Sequence, residues 1–502
     1  MATGKPGGRA ALAWCLACIA AGIAIAYAYP GAYIQDPALH FLRARWMWSH
    51  PWMLVDVWDR PLFTLAYSLP AALPPAGIAY AAAKLCTVAV TVVAAWLTWD
   101  LAAEYQLGRP ALVIPLMWLQ PCVFLLSAET TPEPLFAMMF ALALLLYRRG
   151  RLAPSAIVVS MLILVRPEGI ALAVLWALCT IRDPRAGETL GKRAAVTSAL
   201  LVGPAVWWYL SAQITTDWLF IVHNWPSLSA SLGASLFGGK AESPLRQWAQ
   251  IAGVVLALPF AVGLVASLSG RRLGMPVAAV ATLLVAHIAL GGTGVFGWAP
   301  VPAAFVCVAP AIALITLDGW NVLAAGASSW IPVGARRGVG LGVTAAVMVI
   351  SLVGDLLVVD AQQPGRDWHP VAEMGKWFAG HPQPVTRMVW SEAYAGVQFG
   401  RDPDESALTY GDRAKDVVFL TAAPHGTVVA WDSDIGPSWY GLTGAQIEQI
   451  GYTVLQHQTY SEMGRLPSWV EAVPGVGRLQ TLLRLDRSVA PRLQELWLLY
   501  RP

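Results

Sequence analysis

The sequence predicts a polytopic α-helical membrane protein followed by a small C-terminal soluble α/β domain. Two observations predict the helical part: apolar residues make up 57% of the 502 residues and charged residues only 13%, about half of the charged share in ordinary soluble domains. A third, the return of charges and short β-type runs after Asp360, predicts the terminal domain. This composition excludes a soluble enzyme, and a net charge of +3 leaves no basic surface for binding nucleic acid.

About eleven apolar runs are predicted to be transmembrane helices, since a crossing helix needs roughly 20 apolar residues. They are Ala11–Tyr29, Ala76–Leu101, Ala111–Leu126, Leu135–Tyr147, Pro154–Val165, Ile170–Ile181, Ala194–Leu210, Ile251–Leu268, Val277–Leu290, Pro302–Leu317 and Leu341–Val359. The three runs between residues 135 and 181 are shorter than this length. Each of these three either tilts among its neighbours or pairs with another in a hairpin that does not fully cross.

The distribution of basic residues predicts the orientation in the membrane. The first apolar run follows Lys5 and Arg9 and has no convincing cleavage site, so it is expected to stay as a helix with its N-terminus in the cytoplasm. Loops that would then lie inside are rich in Lys and Arg, and the loops outside carry far fewer. An odd number of helices places the C-terminus outside, in a multi-pass protein of a bacterial plasma (inner) membrane.

Three stretches outside the apolar runs are large enough to fold. Residues 30–75 form a first outer loop, whose four tryptophans favour helices at the membrane interface, and residues 215–248 form a second. We expect residues 1–360 to form the membrane domain and residues 361–502 the extracytoplasmic α/β domain. In the latter, the predicted strands are Val417–Leu420 and Thr427–Trp431, and the predicted helices are Trp368–Phe378 and Gly444–Ile450.

Ionisable residues at the predicted outer ends of helices indicate a functional site, because a carboxylate next to hydrocarbon is costly unless it is paired or used. They fall in four groups, which are Asp36 with His40, Asp59-Arg60-Pro61, the Glu129–Pro134 loop, and the Arg166–Gly169 turn. All four groups are predicted to face the same side of the membrane. In a compact bundle they would converge on one outer mouth.

Asp36 has two interpretations that can hold together. It precedes Pro37, and an acid followed by proline is a frequent start of a helix, here predicted over Ala38–Trp48. Alternatively, Asp36 is a general base at the membrane surface, with His40 one turn later on the same helix face to orient a substrate or a phosphate. The residue pattern alone favours the helix cap.

The other groups also have a structural interpretation when each is taken singly. Glu133 can begin a helix, and Arg166 can form a local ion pair with Glu168. His223 lies in another outer loop, as does the glycine-rich stretch 291–298, which follows no soluble strand and is therefore not a dinucleotide site. The joint placement of the acids on one face is the stronger signal.

Together these motifs resemble the membrane glycosyltransferases of the GT-C class, in particular the bacterial protein O-mannosyltransferase, aminoarabinose transferase and arabinofuranosyltransferase type. The resemblance covers Ala11–Val359. It consists of an acid directly after the first helix in a long outer loop, Glu133-Pro134-Leu135 at the start of the fourth helix, the Arg166–Gly169 turn and a late glycine-rich loop. Many members have a second acid directly after the first, where this chain has Pro37.

The resemblance implies transfer of a sugar from a polyprenyl-phosphate donor to a hydroxyl acceptor in a cell-envelope glycan, lipid or protein, with Asp36 as the catalytic residue. In-line attack would invert the anomeric centre. Candidates to bind the donor phosphate are Arg166, His40, Arg43, Arg60 and His223. Asp59 belongs to the same predicted substrate-binding set. Candidates to bind sugar hydroxyls or a divalent cation are Glu129, Glu133 and Glu168. The class has metal-assisted and metal-independent members, so a divalent cation, Mg²⁺ or Mn²⁺, stays an option. Membrane lipids are also expected to contact the chain.

Two other functions stay open at this point. A transporter or flippase of lipid-linked sugar would place its charges near the bilayer midplane, often in two related halves, whereas here the acids lie at helix ends and the sequence shows no repeat. A receptor or assembly factor that acts through its C-terminal domain would not need about eleven spans for anchoring.

Overall fold

The computed structural model describes most of the chain. The described residues are 7–28, 35–57, 60–224, 248, 251–270, 272–292, 302–362, 368–381, 383–409, 411–433, 435–461 and 493–502. Asp59 and residues 293–298 of the glycine-rich stretch lie outside them. The described part is mainly helical and contains a four-stranded sheet close to the C-terminus.

The described segments of the first 362 residues are mainly α-helices, several of them joined by short turns or 3₁₀ turns. The helices are α1 (Gly8–Ala28), α2 (Gln35–Trp46), α3 (Pro61–Ala71), α4 (Ala76–Glu104), α5 (Val113–Trp118), α6 (Pro121–Leu126), α7 (Pro132–Arg148), α8 (Leu152–Met161), α9 (Glu168–Arg182), α10 (Leu190–Thr197), α11 (Val202–Thr215), α12 (Phe220–Asn224), α13 (Ala257–Gly270), α14 (Gly274–Gly292), α15 (Ala309–Ser328) and α16 (Arg336–Gln362). Each predicted apolar run overlaps at least one helix.

One predicted span is broken in two. Residues 111–126 form α5 and α6 rather than a continuous helix, because Gln120 is extended with ψ of 125° and Pro121 begins the second helix. Proline lacks the amide hydrogen that an uninterrupted helix needs and disfavours helical geometry at the residue before it. All residues of both short helices are buried, so this segment lies inside the bundle.

Five of the described helical stretches are long and apolar enough to cross a membrane. They are Gly8–Tyr27, Ala76–Glu104, Leu190–Thr215, Ala304–Ser328 and Gly338–Asp355. Helices α13 and α14, which are bent by 119° relative to each other, pass the same test together, as a broken span or a re-entrant loop, and Leu152–Leu164 is a shorter apolar helix. These helices agree with a polytopic membrane protein, and the total of about eleven crossings stays a prediction.

Helices α13 and α15 cross with their backbones in direct contact. A Cβ atom added to Gly263 would lie 1.8 Å from the carbonyl oxygen of Ile315, and one added to Gly319 would lie 1.8 Å from the carbonyl oxygen of Pro259. Small residues allow such close approach, and in a membrane the dispersion contacts that follow are a main source of helix association. The two glycines therefore fix where the helices cross.

The described residues of the first loop, 35–57 and 60–75, contain two helices. Helix α2 packs against α3, and the ring of Phe41 meets that of Tyr80 in α4 edge-on at 4.9 Å. A 3₁₀ turn, Pro51–Leu54, connects α2 with α3. The loop is thus a packed layer against the bundle rather than a simple connector.

The C-terminal region, residues 361–502, combines helices with a mixed sheet. Its helices are α17 (Trp368–Gly380), α18 (Ala393–Phe399), α19 (Arg413–Ala422) and α20 (Gly444–Gln449), and its strands are β1 (Arg387–Trp390), β2 (Thr427–Asp432), β3 (Thr453–Ser461) and β4 (Leu493–Tyr500). The strand order is β1-β2-β4-β3, with β1 parallel to β2 and the other pairs antiparallel.

One of the two strand predictions for this region is wrong. Thr427–Trp431 lies in β2 as expected, but Val417–Leu420 belongs to helix α19. The Asp412 side chain accepts a hydrogen bond from the Lys415 amide and caps that helix, while Leu420 is buried on its inner face. Local capping outweighed the strand preference of the valines and phenylalanine.

The C-terminal region shares its buried core with the membrane helices. Helix α18 packs against α2 and α4, the rings of Tyr394 and Tyr80 lie 5.9 Å apart, and a Cβ atom on Gly396 would come within 2.8 Å of the Leu42 side chain. Helix α16 also continues to Gln362, past the predicted boundary at residue 360. The division into two domains stays a prediction.

Substitution of Gly319 by Val should destabilise the bundle, because its Cβ atom would overlap the backbone of α13. We expect a loss of at least about 1–3 kcal/mol, the usual cost of overpacking, seen as a lower unfolding temperature in detergent. Gly326→Ala in the same helix is the matched control, since nothing lies within 4 Å of that position. Equal unfolding temperatures for the two variants would contradict the proposed crossing.

Candidate functional site

Asp36 lies in the first turn of α2, one residue inside the helix rather than at its cap. An acid in the first turn interacts favourably with the positive end of the helix dipole, so Asp36 stabilises the start of α2 without occupying the cap position expected from sequence. The Thr130 hydroxyl donates a hydrogen bond of 2.6 Å to the carbonyl oxygen of Pro37. This bond holds the loop between α6 and α7 against the start of α2.

Arg166 joins two glutamates that come from different helices. Its Nε and Nη2 atoms donate to the two carboxylate oxygens of Glu168 at 3.0 and 2.8 Å, and Nη1 donates to Glu133 Oε1. The local ion pair expected between Arg166 and Glu168 is therefore present, and it extends to Glu133 at the start of α7. All three side chains are largely buried, which strengthens the charged hydrogen bonds.

Burial and this cluster together set the proton affinity of Asp36. The pKa of Asp36 is raised from 3.8 to about 6, mainly by burial; the negative charge of Glu133 acts in the same direction, and Arg166 opposes both. A carboxylate with a pKa close to neutrality is well suited to accept a proton in catalysis. Asp36, Glu133 and Arg166 therefore act as one electrostatic group.

His40 is buried one turn after Asp36, with its ring against that of Phe63 at 5.3 Å. Burial lowers the pKa of His40 to about 3, and the positive charges of Arg60, Arg166 and Arg43 lower it as well. The imidazole is therefore neutral and stands among three guanidinium groups. Such a setting attracts phosphate, because guanidinium groups and a ring N–H all donate hydrogen bonds to its oxygens.

Two of these arginines belong to the first loop. Arg43 contacts Asp56 through Nη1 and Oδ2 at 2.9 Å, and its guanidinium lies 5.1 Å from the centre of the Trp52 ring. Arg60 precedes α3 with φ of 66°, a left-handed conformation that is uncommon for residues other than glycine. Strained backbone of this kind is found more often at functional sites than elsewhere. The neighbouring prediction, Asp59, is outside the described residues.

Glu129 and His223 form ion pairs with residues that were not predicted as part of the site. Glu129 Oε1 lies 3.1 Å from Nζ of Lys84, a lysine buried within α4, and both side chains are almost fully enclosed. His223 is exposed on α12 and contacts Asp217 at 2.9 Å. Within the described ranges, no hydrogen bond or ion pair joins either residue to Arg166. The structure thus brings together Asp36, His40, Arg43, Arg60, Glu133, Arg166 and Glu168 among the predicted residues.

Two ionisable residues near these groups were not identified from sequence. His287 of α14 is partly buried, with Nε2 3.9 Å from Glu168 Oε1, and Lys84 is the partner of Glu129. Both lie within apolar runs, and an ionisable residue inside such a run is itself a signal of function or pairing. Restricting the search to helix ends missed that signal.

Two crystal structures share the architecture of this chain. They are those of ArnT, an aminoarabinose transferase, from Cupriavidus metallidurans in the apo state and bound to undecaprenyl phosphate; each has a TM-score of 0.56 and 13% identity over 89% of this chain and 96% of the other. The chain has the GT-C fold. No protein-family model and no curated protein sequence matches it.

This result confirms the GT-C fold that the resemblance over Ala11–Val359 implied. At 13% identity the likeness is one of fold, and the near-complete coverage of both chains includes residues beyond the membrane helices. In this chain the Asp36 group is a cluster of charged side chains at the contact between the first loop and the helices α7 and α9.

The titration of Asp36 can be followed with a hydrophobic carbodiimide, which reacts with protonated buried carboxyl groups. Labelling should fall as the pH rises through about 6, because the pKa of Asp36 is raised to about 6. Glu133→Gln should move the midpoint to lower pH, since the variant removes a negative charge that raises this pKa. Asp36→Asn defines background labelling. A midpoint near the ordinary value, or an upward shift in the glutamine variant, would contradict this electrostatic account.

Proposed function

We propose that the chain is an inverting glycosyltransferase that moves a sugar from a polyprenyl-phosphate donor to a hydroxyl acceptor at the outer face of the plasma membrane. The observation that carries the proposal is the position of Asp36, a partly buried carboxylate with a pKa of about 6 one helical turn from an imidazole among three arginines. A base and a phosphate-binding group are thereby adjacent. The choice of donor is supported by one of the two ArnT structures of similar fold, which is bound to undecaprenyl phosphate.

In this proposal Asp36 is the general base. Its carboxylate takes the proton of the acceptor hydroxyl as the hydroxyl oxygen forms a bond to the anomeric carbon. The bond from that carbon to the phosphate oxygen breaks at the same time, and its electron pair leaves with the polyprenyl phosphate. Attack from the side opposite the leaving group inverts the anomeric centre.

The leaving phosphate needs positive charge, which we assign to Arg60 and Arg43 together with a donated hydrogen bond from neutral His40. Arg166 was also a candidate, but two glutamates already take up its hydrogen bonds. We assign it to orient Glu133 and Glu168, whose remaining lone pairs can accept hydrogen bonds from sugar hydroxyls. Separate groups thus bind phosphate and sugar.

A divalent cation was an option implied by the class. Among the described residues, the carboxylates beside Asp36 are bound by Arg166 and do not form a set of three ligating atoms within reach of one ion. The described residues at this site therefore do not fit a metal, and the proposed mechanism contains no step through one. Positive charge at the phosphate comes from arginine instead.

The acceptor would enter beside the C-terminal region. Helix α18 of that region packs on α2, which carries Asp36, and the distribution of basic residues supports an extracytoplasmic position for this face. A region that covers the base on the water side is well placed to choose the acceptor. The identity of the sugar depends on contacts with the donor in the same cavity.

Asp36→Asn should abolish transfer of radiolabelled sugar from polyprenyl-phosphate donors, by at least about 10²–10⁴-fold, the range that general-base catalysis supplies. The protein should still insert and purify normally. Asp412→Asn is the matched control, because an exposed asparagine caps a helix as well as aspartate does and should retain full activity. Transfer by Asp36→Asn at the wild-type rate would remove Asp36 from the mechanism, and translocation of lipid-linked sugar without transfer would favour a flippase.

Arg60→Ala should weaken binding of polyprenyl phosphate to the purified chain by at least about tenfold, since charge-assisted hydrogen bonds contribute about 1.5–3 kcal/mol each. Binding can be measured by displacement of a fluorescent polyprenyl-phosphate analogue in nanodiscs. Arg336→Ala, at the start of α16, is the control and should bind normally. Equal affinities of the two variants would show that Arg60 does not contact the phosphate.

A further inference from the structure

A histidine of the first loop lies between two aspartates of the C-terminal region. His50 precedes the 3₁₀ turn Pro51–Leu54, and Asp402 caps another 3₁₀ turn, Pro403–Ser406, which contains Asp404. Nε2 of His50 lies 2.5 Å from Asp402 Oδ2, and Nδ1 lies 3.2 Å from Asp404 Oδ2. The two nitrogens of one imidazole ring thus contact carboxylates about 350 positions later in the sequence.

Both contacts are hydrogen bonds only when the imidazole is protonated. A neutral imidazole has one N–H donor and one nitrogen that accepts, whereas the imidazolium ion has two donors. In the neutral form, one ring nitrogen of His50 would face a carboxylate oxygen with no hydrogen between them. The proton on His50 therefore decides whether one aspartate or both are bound.

The backbone holds the two aspartates close together in either case. Oδ1 of Asp402 accepts a hydrogen bond of 3.0 Å from the Asp404 amide, which caps the turn. Carboxylate oxygens of the two residues lie within 4.8 Å of each other. Like charges at this distance repel each other, and a positive charge between them offsets the repulsion. Loss of the proton from His50 removes that positive charge and leaves the repulsion.

The cationic side chains of the neighbouring elements are bound to other groups. Helices α2, α3 and α11 pack against Pro51–Leu54, and α2 and β1 pack against Pro403–Ser406. The contacts of these cations, and of Arg401 beside the second turn, are Arg43 with Asp56, Arg45 with the carbonyl oxygens of Ala71 and Leu73, Arg387 with the ring of Phe419, and Arg401 with Glu405. The other ionisable groups of these elements are Asp36 and His40 near the start of α2, Arg60 before α3, Tyr67 and Tyr209. Over the described part of the chain, the ion pairs of Asp402 and Asp404 are those with His50.

The three side chains can exchange protons with water. The exposed fractions of His50, Asp402 and Asp404 are 28%, 18% and 43%, so a change in pH reaches the imidazole without any opening of the fold. Histidine is the side chain whose charge ordinarily changes between pH 5 and 8. The contact between the first loop and the C-terminal region is therefore open to control by pH.

We propose that His50, Asp402 and Asp404 form an acid-strengthened latch between the first loop and the C-terminal region. The latch is closed while both ring nitrogens of His50 carry a hydrogen, and it loosens when one hydrogen is lost. Its stabilising contribution is present at acid pH and is lost as the pH rises, the sign that follows for a histidine that gains carboxylate partners on folding. The latch does not depend on the proposed glycosyl transfer, so the failure of either leaves the other untouched.

The test is hydrogen–deuterium exchange of the full chain in detergent between pH 5.5 and 8, with each rate divided by the intrinsic rate at that pH. The amides of Met53 and Val55, which donate to the carbonyl oxygens of His50 and Trp52, report on the first loop. The Asp404 amide reports on the C-terminal region. Protection of all three should fall by about twofold to fivefold from the acid to the alkaline end, the factor that a partly exposed ion pair supplies.

Three variants identify the group that titrates. Protection in His50→Gln should be independent of pH and equal to that of the wild type at the alkaline end, because glutamine gains no proton. Asp402→Asn keeps the cap and should lose most of the dependence on pH, since its amide can donate to a neutral imidazole. His457→Gln is the matched control. His457 pairs with Glu495 at 3.3 Å inside the C-terminal sheet, so this variant should keep the wild-type dependence at the three amides.

Two results would overturn the latch. One is protection in the wild type that stays constant between pH 5.5 and 8. The other is a dependence on pH in His50→Gln that equals that of the wild type. If His50→Gln does not fold, an unchanged dependence in Asp402→Asn has the same meaning.

Discussion

The guanidinium group of Arg166 is the interaction on which the candidate site depends. It ties the first residues of α7 and α9 together through Glu133 and Glu168, and its charge moderates the pKa of Asp36 across the loop. If Arg166 were lost, the carboxylates of Glu133 and Glu168 would lose the guanidinium group that binds both, and breaking a buried ion pair in this way costs about 3–5 kcal/mol. The same contact therefore stabilises the bundle and determines its chemistry.

A second buried pair positions the loop that lies between these elements. Lys84 in α4 holds Glu129 at 3.1 Å, and the next residue, Thr130, hydrogen bonds to Pro37 beside Asp36. Since both charges of the Lys84–Glu129 pair are almost fully enclosed, the loop has little freedom to move without exposing one of them to an apolar surrounding. The Thr130 loop thus fixes the backbone beside Asp36, while Glu133 and Arg166 act on its carboxylate electrostatically.

The sequence predicted the features that depend on near neighbours in the chain. The helical bundle, the folded first loop and the pairing of Arg166 with Glu168 all follow from local patterns. The contact between Arg166 and Glu133, 33 residues apart, could not be predicted, because no local pattern records which helix ends meet. The pairing of Glu129 with Lys84 was likewise not predicted, because Lys84 lies within an apolar run and was not considered as a partner.

The wrong strand prediction in the C-terminal region and the undivided span over residues 111–126 have a similar origin. Residues 417–420 have side chains common in both strands and helices, and the deciding element, the Asp412 cap, lies before them. The break at Pro121 was readable from the proline, yet the run around it is apolar enough to pass for one span. Composition determined which residues are buried, while turns and caps determined their arrangement.

The seam between α18 and the helices α2 and α4 bears on how the protein could be divided. Leu42, Tyr80 and Tyr394 form one continuous apolar layer across it. If the chain were cut after Gln362, the apolar residues of α2 and α4 that α18 covers would be exposed to water. The apolar residues of α18 would be exposed on the separated C-terminal region. We therefore expect amino-acid substitutions on one side of this contact to be accompanied in evolution by compensating substitutions on the other side.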